Sequence, residues 1–180
     1  MQLARAGVVD FHGTRYPDTP LAPAFTLTDH TGSRLSLENL RGRPVLLFFG
    51  FTECPDVCPL ALAKLQRILD EEGVAPDEIS VLLVTVDPEN DTPERLAEYV
   101  RSIGPSVTGL TGTREEIESV LGLYGAYAQP SMNHDGHPVI AHTYLVFGID
   151  RTGHLQVLIH ADEPDEVVRD DIRALMRIGA

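Results

Sequence analysis
Two cysteines, Cys54 and Cys58, stand four residues apart in Gly50-Phe51-Thr52-Glu53-Cys54-Pro55-Asp56-Val57-Cys58-Pro59. They are the only thiols in the 180 residues, so a disulfide scaffold is excluded. On a helical turn, a spacing of four puts both sulfurs on one side. Free N–H groups at a helix start favour thiolate over thiol. Pro55 and Pro59 fix φ locally. With a helix starting near Asp56, they delete donors that would lack partners anyway. The segment reads as a stiff loop with two converging sulfurs.

Three chemistries are open for that pair. Two buried thiols or a static disulfide would be purely structural. A dithiol redox site is the second, although its usual spacing has two intervening residues rather than three. A metal site is the third, and two cysteines cannot complete tetrahedral zinc, so a further ligand must come from elsewhere. His142 is the candidate, in Pro138-Val139-Ile140-Ala141-His142-Thr143, where a loop is expected to enter a strand. Two thiolates and one neutral imidazole form a soft trigonal set that suits copper. Cu(II) on two thiolates is formally neutral, and Cu(I) leaves one negative charge. A lone His at a strand start would otherwise read as a hydrogen-bonded rim residue.

The elements that must position these residues are legible as hydrophobic patterns. Pro44 through Phe49 is a continuous apolar run that suits a strand buried on both faces. Pro59 through Glu72 reads as a helix, with Leu60, Leu62, Leu65, Ile68 and Leu69 as its inward stripe and Gly73 as its stop. Ile79 through Val86 is a second buried strand. Thr92 caps a helix with Pro93 at its first position, running to about Ile103. Val107 through Leu110 is a short strand. Thr113 caps a further helix through Leu123, with Glu116 completing a capping box. Ala24 through Thr28 alternates like a half-buried strand, turned by Asp29 through Gly32. Leu35 through Leu40 reads as a short strand or a single helical turn. Thr143 through Ile149 and His154 through His160 form an antiparallel pair, and residues 164–178 a last helix. This order predicts an α/β fold: a thioredoxin-like mixed sheet with helices on both faces and an N-terminal extension. Residues 1–23, rich in Pro and Gly, are expected to be an irregular arm, and 24–180 one domain.

Length and composition agree. One domain of this size buries a core without staples. Lys plus Arg total 14 against 27 Asp plus Glu, a net charge of −13, which argues against nucleic acid as a partner. There is no Gly-rich phosphate loop, no H-E-x-x-H and no G-x-S-x-G. Met1 through Ala6 lacks the apolar stretch of a secretory signal. Taken literally that describes a cytosolic protein, and a fragment lacking its export segment would look the same.

The chain resembles the Sco/SenC family of copper-binding, thioredoxin-like proteins. The matching residues are Phe48 through Pro59, then Val86-Asp87-Pro88-Glu89-Asn90-Asp91-Thr92, then His142 just before a strand. Phe11-His12-Gly13-Thr14 and Phe25 through Gly32 add to the likeness. The resemblance implies a metallochaperone binding copper, as Cu(I) or Cu(II), through Cys54, Cys58 and His142. It implies help in assembling the dinuclear copper site of cytochrome c oxidase subunit II, with another copper carrier or a thiol reductant as further partners. It also implies a place outside the cytoplasm, periplasmic or at the outer face of the cell membrane, with a membrane anchor that this chain lacks. The alternative is a thiol–disulfide oxidoreductase, with Cys54 and Cys58 as catalytic residues, keeping the oxidase cysteines reduced. A thioredoxin-like peroxidase is a third option. One departure is Ala141, where the family often has an acid before the His.

Other residues carry blander readings. Asp87 is expected to cap the turn leading to Pro88. His134 and His137 read as solvated loop histidines that could widen copper capture. His154 and His160 fall six apart on one strand face at a sheet edge. Asp162, Glu163, Asp165, Glu166, Asp170 and Asp171 read as a solvated acidic face.

Overall fold
Two apolar runs, Val45–Gly50 and Ser80–Thr85, form the centre of the sheet, and every residue in both is buried. A run without polar alternation demands cover on both faces. A computed structural model of the chain describes residues 10–55, 57–132, 135–136 and 138–179. Among these the strands are β1 (Thr14–Arg15), β2 (Thr26–Asp29), β3 (Arg34–Ser36), β4 (Val45–Gly50), β5 (Ser80–Thr85), β6 (Val107–Thr111), β7 (Ala128–Met132), β8 (Pro138–His142), β9 (Leu145–Ile149) and β10 (Leu155–His160). The helices are α1 (Val57–Glu71), α2 (Pro93–Ile103), α3 (Arg114–Tyr124) and α4 (Asp165–Arg177), and a 3-10 turn spans Leu37–Leu40.

Eight strands join one sheet in the order β1-β10-β9-β4-β5-β6-β2-β3. β4, β5 and β6 run parallel, whereas β9 runs antiparallel to β4 and β10 antiparallel to β9. On one face α1 packs against both α2 and α4, and α2 lies on β6. A methyl added at Gly50 would meet Cys58 of α1, so Gly50 and Phe48 point to this face and Phe49, by alternation, to the other. There Phe49 meets Tyr124, the last residue of α3, edge-on at 6.1 Å between ring centres, and Phe147 meets the same ring at 5.4 Å. Helices therefore cover both faces of a thioredoxin-like mixed sheet.

Helix starts follow the sequence signals. The Thr92 hydroxyl accepts the Arg95 N–H at 3.3 Å. At α3, Thr113 and Glu116 exchange both bonds of a capping box. Gly125 ends α3 in the left-handed region at φ 62°, where a side chain would be strained.

Four expectations change. The arm is not irregular throughout, because β1 pairs with β10 and Leu21 bridges His154. Leu60 is not on the inward stripe but 63% exposed. It lies about 200° around the helix from Leu62, at 100° per residue, so both cannot face the core. Asp171 is not part of a solvated face. It is 1% exposed, and its carboxylate accepts the backbone N–H groups of His12 and Gly13 at 2.6 and 2.9 Å, tying the arm to α4. Finally, the segment before β9 is not a loop: β7 and β8 form a separate two-stranded hairpin. His134 and His137 lie outside the described residues. His154 precedes β10, and a register shift between Leu155 and Val157 breaks the simple alternation toward His160.

Candidate metal centre
β4 delivers its chain to the carboxyl edge of the parallel strands, the edge where open α/β sheets gather their sites. The turn from Phe51 to Pro55 then leads into α1, with the Cys54 N–H donating to the Phe51 carbonyl at 3.3 Å. Asp56 lies outside the described residues. Cys54 is 8% exposed and Cys58, in the first turn of α1, is fully buried. No disulfide joins them. The Cys58 N–H points at the Cys54 sulfur at 3.4 Å, so a helix-start donor does serve that sulfur.

His142 ends β8. The hairpin carrying it is pinned where it meets the sheet: Thr143 N–H donates to the Tyr127 carbonyl, and Tyr127 N–H to the Thr143 hydroxyl, both at 3.0 Å. The imidazole Nδ1 lies 2.9 Å from the Thr143 carbonyl, which can only accept, so Nδ1 carries the proton and Nε2 the lone pair. That Nε2 lies 3.3 Å from the Cys58 sulfur. Phe48 and Phe51 hold the ring edge-on at 6.1 and 5.9 Å between centres. The Tyr144 hydroxyl donates to the Val57 carbonyl at 3.3 Å, joining the base of the hairpin to the start of α1.

The two sulfurs and the imidazole nitrogen all lie within 4.8 Å of one another. Ligand bonds of about 2.0–2.3 Å around one ion would leave donor atoms roughly 3.5–4 Å apart, so a small closure suffices. No fourth His, Cys, Asp or Glu joins the group among the described residues. Three soft-to-borderline donors fit copper better than tetrahedral zinc. The distant His142 therefore reaches the cysteine pair as the sequence reading required.

The electrostatics differ from the simple helix-start picture. The Cys58 thiol is pushed well up by its hydrogen bond with Cys54 and then by burial, with the negative charges of Cys54 and Asp91 adding to both. Without metal Cys58 keeps its proton, and a metal ion must displace it on binding. Tyr99 of α2 has a buried hydroxyl with no hydrogen-bond partner among the described residues. Burial raises its pKa, and so do the nearby charges of Cys58, Cys54 and Asp91.

Sequence reasoning missed two residues here. Gly50 carries no role in the sequence beyond opening the cysteine segment, yet a Cβ there would sit 3.2 Å from the Cys58 sulfur. Asp91, in the turn before α2, is fully buried and accepts from both Thr52 and Thr85. An Asp beside a Thr-Pro helix start ordinarily reads as solvated, so no local signal separates it from Asp87. Asp87 does what its position suggests, its carboxylate accepting from the Asn90 side chain at 2.9 Å within the turn.

Comparison with known proteins places the chain. The SCO1/SenC family model matches residues 14–177. The human mitochondrial SCO1 homologue is 39% identical over 137 residues, which are 74% of this chain and 45% of that protein. The chain spans about half the length of the curated relatives it matches. A structure of Bradyrhizobium japonicum ScoI with copper bound is 35% identical, with a TM-score of 0.75, covering 86% of this chain and 99% of that one. The structure of BsSco, described as a member of the Sco family of cytochrome c oxidase assembly proteins, is 22% identical with a TM-score of 0.71. It covers 93% of this chain and 99% of its own, and that likeness carries the fold.

Proposed function
The chain belongs to the SCO1/SenC family, and from that premise we propose that it is a copper carrier whose Cys54, Cys58 and His142 take up one ion and pass it to the copper site of cytochrome c oxidase. The observation that supports this is the convergence of two sulfurs and one imidazole nitrogen, drawn from elements 84 residues apart in sequence. Copper is cargo here, so the site must bind it and also release it. A buried sulfur pair closed by a half-buried imidazole, with solvent nearest on the His142 side, serves both needs. An incoming thiolate can approach that side and displace the protein's ligands one at a time.

Uptake requires reduced thiols, because a disulfide offers no thiolate. Each thiol releases its proton as copper binds. The aim of Nε2 at Cys58 favours this reading over a dithiol reductase, which needs no imidazole in that position. The acceptor is subunit II of the oxidase, and another copper carrier or a thiol reductant prepares the chain for loading. The carrier works outside the cytoplasm, held at a membrane surface. No helix among the described residues is long and apolar enough to cross a membrane.

Reduced protein is expected to bind one copper per chain and, loaded with Cu(II), to show an intense sulfur-to-copper absorption. Mixing the loaded chain with a soluble subunit II domain should move that copper to the domain. Binding by the oxidised chain as tight as by the reduced one would refute the proposal, as would a loaded chain that never gives up its ion to the domain.

A further inference from the structure
One carboxylate under the cysteine loop has no role in the donor set. Asp91 is fully buried. Its oxygens accept the Thr52 N–H at 3.0 Å, the Thr52 hydroxyl at 2.5 Å and the Thr85 hydroxyl at 2.6 Å. The Thr85 hydroxyl in turn accepts the Asp87 N–H at 2.9 Å, and the Asp91 N–H donates to the Asp87 carbonyl at 2.9 Å. Among the described residues these neutral donors, rather than a cation at ion-pair distance, satisfy it. Burying a carboxylate with only neutral groups in contact with it is costly. A fold that needed only to close this corner would do so with neutral side chains.

The placement says what the carboxylate holds. Thr52 lies two residues before Cys54, in the loop leaving β4. Thr85 ends β5, the neighbouring parallel strand, and Asp91 lies just before the first turn of α2. Three elements meet at one carboxylate, and the loop bearing Cys54 is the only one of them without a ladder or helix of its own. The next residue, Glu53, is held from the same direction by Arg95 of α2 at 2.8 Å. That pair is exposed and contributes little, so of the two ties from this corner Asp91 is the stronger.

We propose that Asp91 is the positioning residue of the metal site, its carboxylate stapling Thr52 to the β5–α2 corner so that the Cys54 sulfur stays within binding reach of Cys58 and His142. This rests on the copper-carrier reading for its consequence, though the staple itself exists in the metal-free chain. Loss of such an outer support typically weakens metal binding about 10–100-fold.

The test compares copper affinity, by competition with a chelator, across variants of the full chain. Asp91→Ala removes every bond of the staple and should weaken binding about 10–100-fold, with an altered sulfur-to-copper spectrum. Asp91→Asn keeps the shape and one acceptor and should recover part of the loss. Val168→Ala removes two buried methyl groups beneath α4 and supplies a destabilised reference whose copper affinity stays at the wild-type value. Wild-type affinity and spectrum in Asp91→Ala would overturn the proposal, and so would an equal loss in Val168→Ala. Should Asp91→Ala fail to fold, Thr52→Val removes the hydroxyl bond while the residue 52 N–H still reaches Asp91, so copper affinity should fall by part of that factor, and wild-type affinity and spectrum would overturn the proposal. A wild-type chain that binds no copper would sink the carrier reading instead. The staple would then be judged from the metal-free protein by Thr52 amide exchange and the rate of Cys54 alkylation by iodoacetamide. Both should rise at least about tenfold in Asp91→Ala if the opening of the loop limits them, and unchanged rates would overturn the proposal.

Discussion

Replacing Gly50 by Ala tests how closely the sheet must approach the sulfur pair. The added methyl would lie 3.0 Å from Cε1 of Phe48, 3.1 Å from Cδ1 of Leu83 and 3.2 Å from the Cys58 sulfur. Ordinary carbon contacts are about 3.5–4.0 Å, so each neighbour must yield by a few tenths of an ångström. All three side chains are fully buried and have nowhere to relax. Overpacking of this kind costs about 1–3 kcal/mol. Ala returns about 0.5–1 kcal/mol in a strand by restricting the unfolded chain. The net expectation is a loss of about 0–2.5 kcal/mol, which for a chain of this size lowers Tm by about 2–4 °C per kcal/mol. The larger effect falls on copper, because the displaced sulfur is one of three ligands. A loss of about 1.4 kcal/mol in binding is a tenfold weaker Kd. Calorimetric melting gives the first number, and chelator competition on the reduced chain gives the second. A variant that melts no lower than wild type and binds copper within twofold of it would refute the reasoning, because the tight approach would then constrain nothing.

Other expectations follow from individual groups. Tyr99→Phe removes a buried hydroxyl that lacks a partner among the described residues, so urea unfolding should show stability unchanged or raised by about 1 kcal/mol, and a fall of more than that would mean the hydroxyl is bonded. Asp150 is buried, which raises its pKa, but bonds from the Thr152 hydroxyl, the His154 N–H, the Gln156 amide and the Thr152 N–H outweigh burial and hold it below the usual value. Its stabilisation is therefore complete above the unfolded carboxylate pKa of about 3.9 and disappears as pH falls through the lower folded value. Asp150→Asn should lower stability at neutral pH by about 1–3 kcal/mol and flatten the acid limb of a stability–pH curve. An acid limb as steep as wild type would contradict that assignment. Asp171→Ala frees two backbone N–H groups of the arm, so hydrogen exchange at His12 and Gly13 should accelerate while β4 and β5 stay protected. Unchanged exchange at those two amides would show that the arm is held by other contacts.

The strands β4 and β5 and the helices α2 and α3 were legible because each carries its own signal: an uninterrupted apolar run, a Thr-Pro start, a capping box. The cysteine loop was legible for the same reason, since it joins a buried strand to a helix. The β7–β8 hairpin was not. Ala128–Met132 is Ala-Gln-Pro-Ser-Met, half-buried at its first residue and exposed at the rest, so it has neither alternation nor an apolar run. Among the described residues it pairs only with β8, outside the main sheet, and Pro130 argues against a strand until its edge position is known. His142 was nevertheless found, because its chemistry matched the sulfurs even though its element was misread. Leu60 was placed inward by counting leucines rather than angles. Asp171 could have been recognised, as it stands three residues after Val168 and one before Ile172 on the buried stripe of α4. Asp91 could not, because its burial is created by Thr52 and Thr85 from other elements.

The claim on which the rest depends is that His142 and the two sulfurs hold one ion together. X-ray absorption at the copper edge measures this directly on the loaded chain. Two sulfur neighbours and one imidazole are expected in the wild type, with the imidazole signal lost and the sulfurs kept in His142→Ala. An unchanged imidazole signal in that variant, or a single sulfur neighbour in the wild type, would contradict the account.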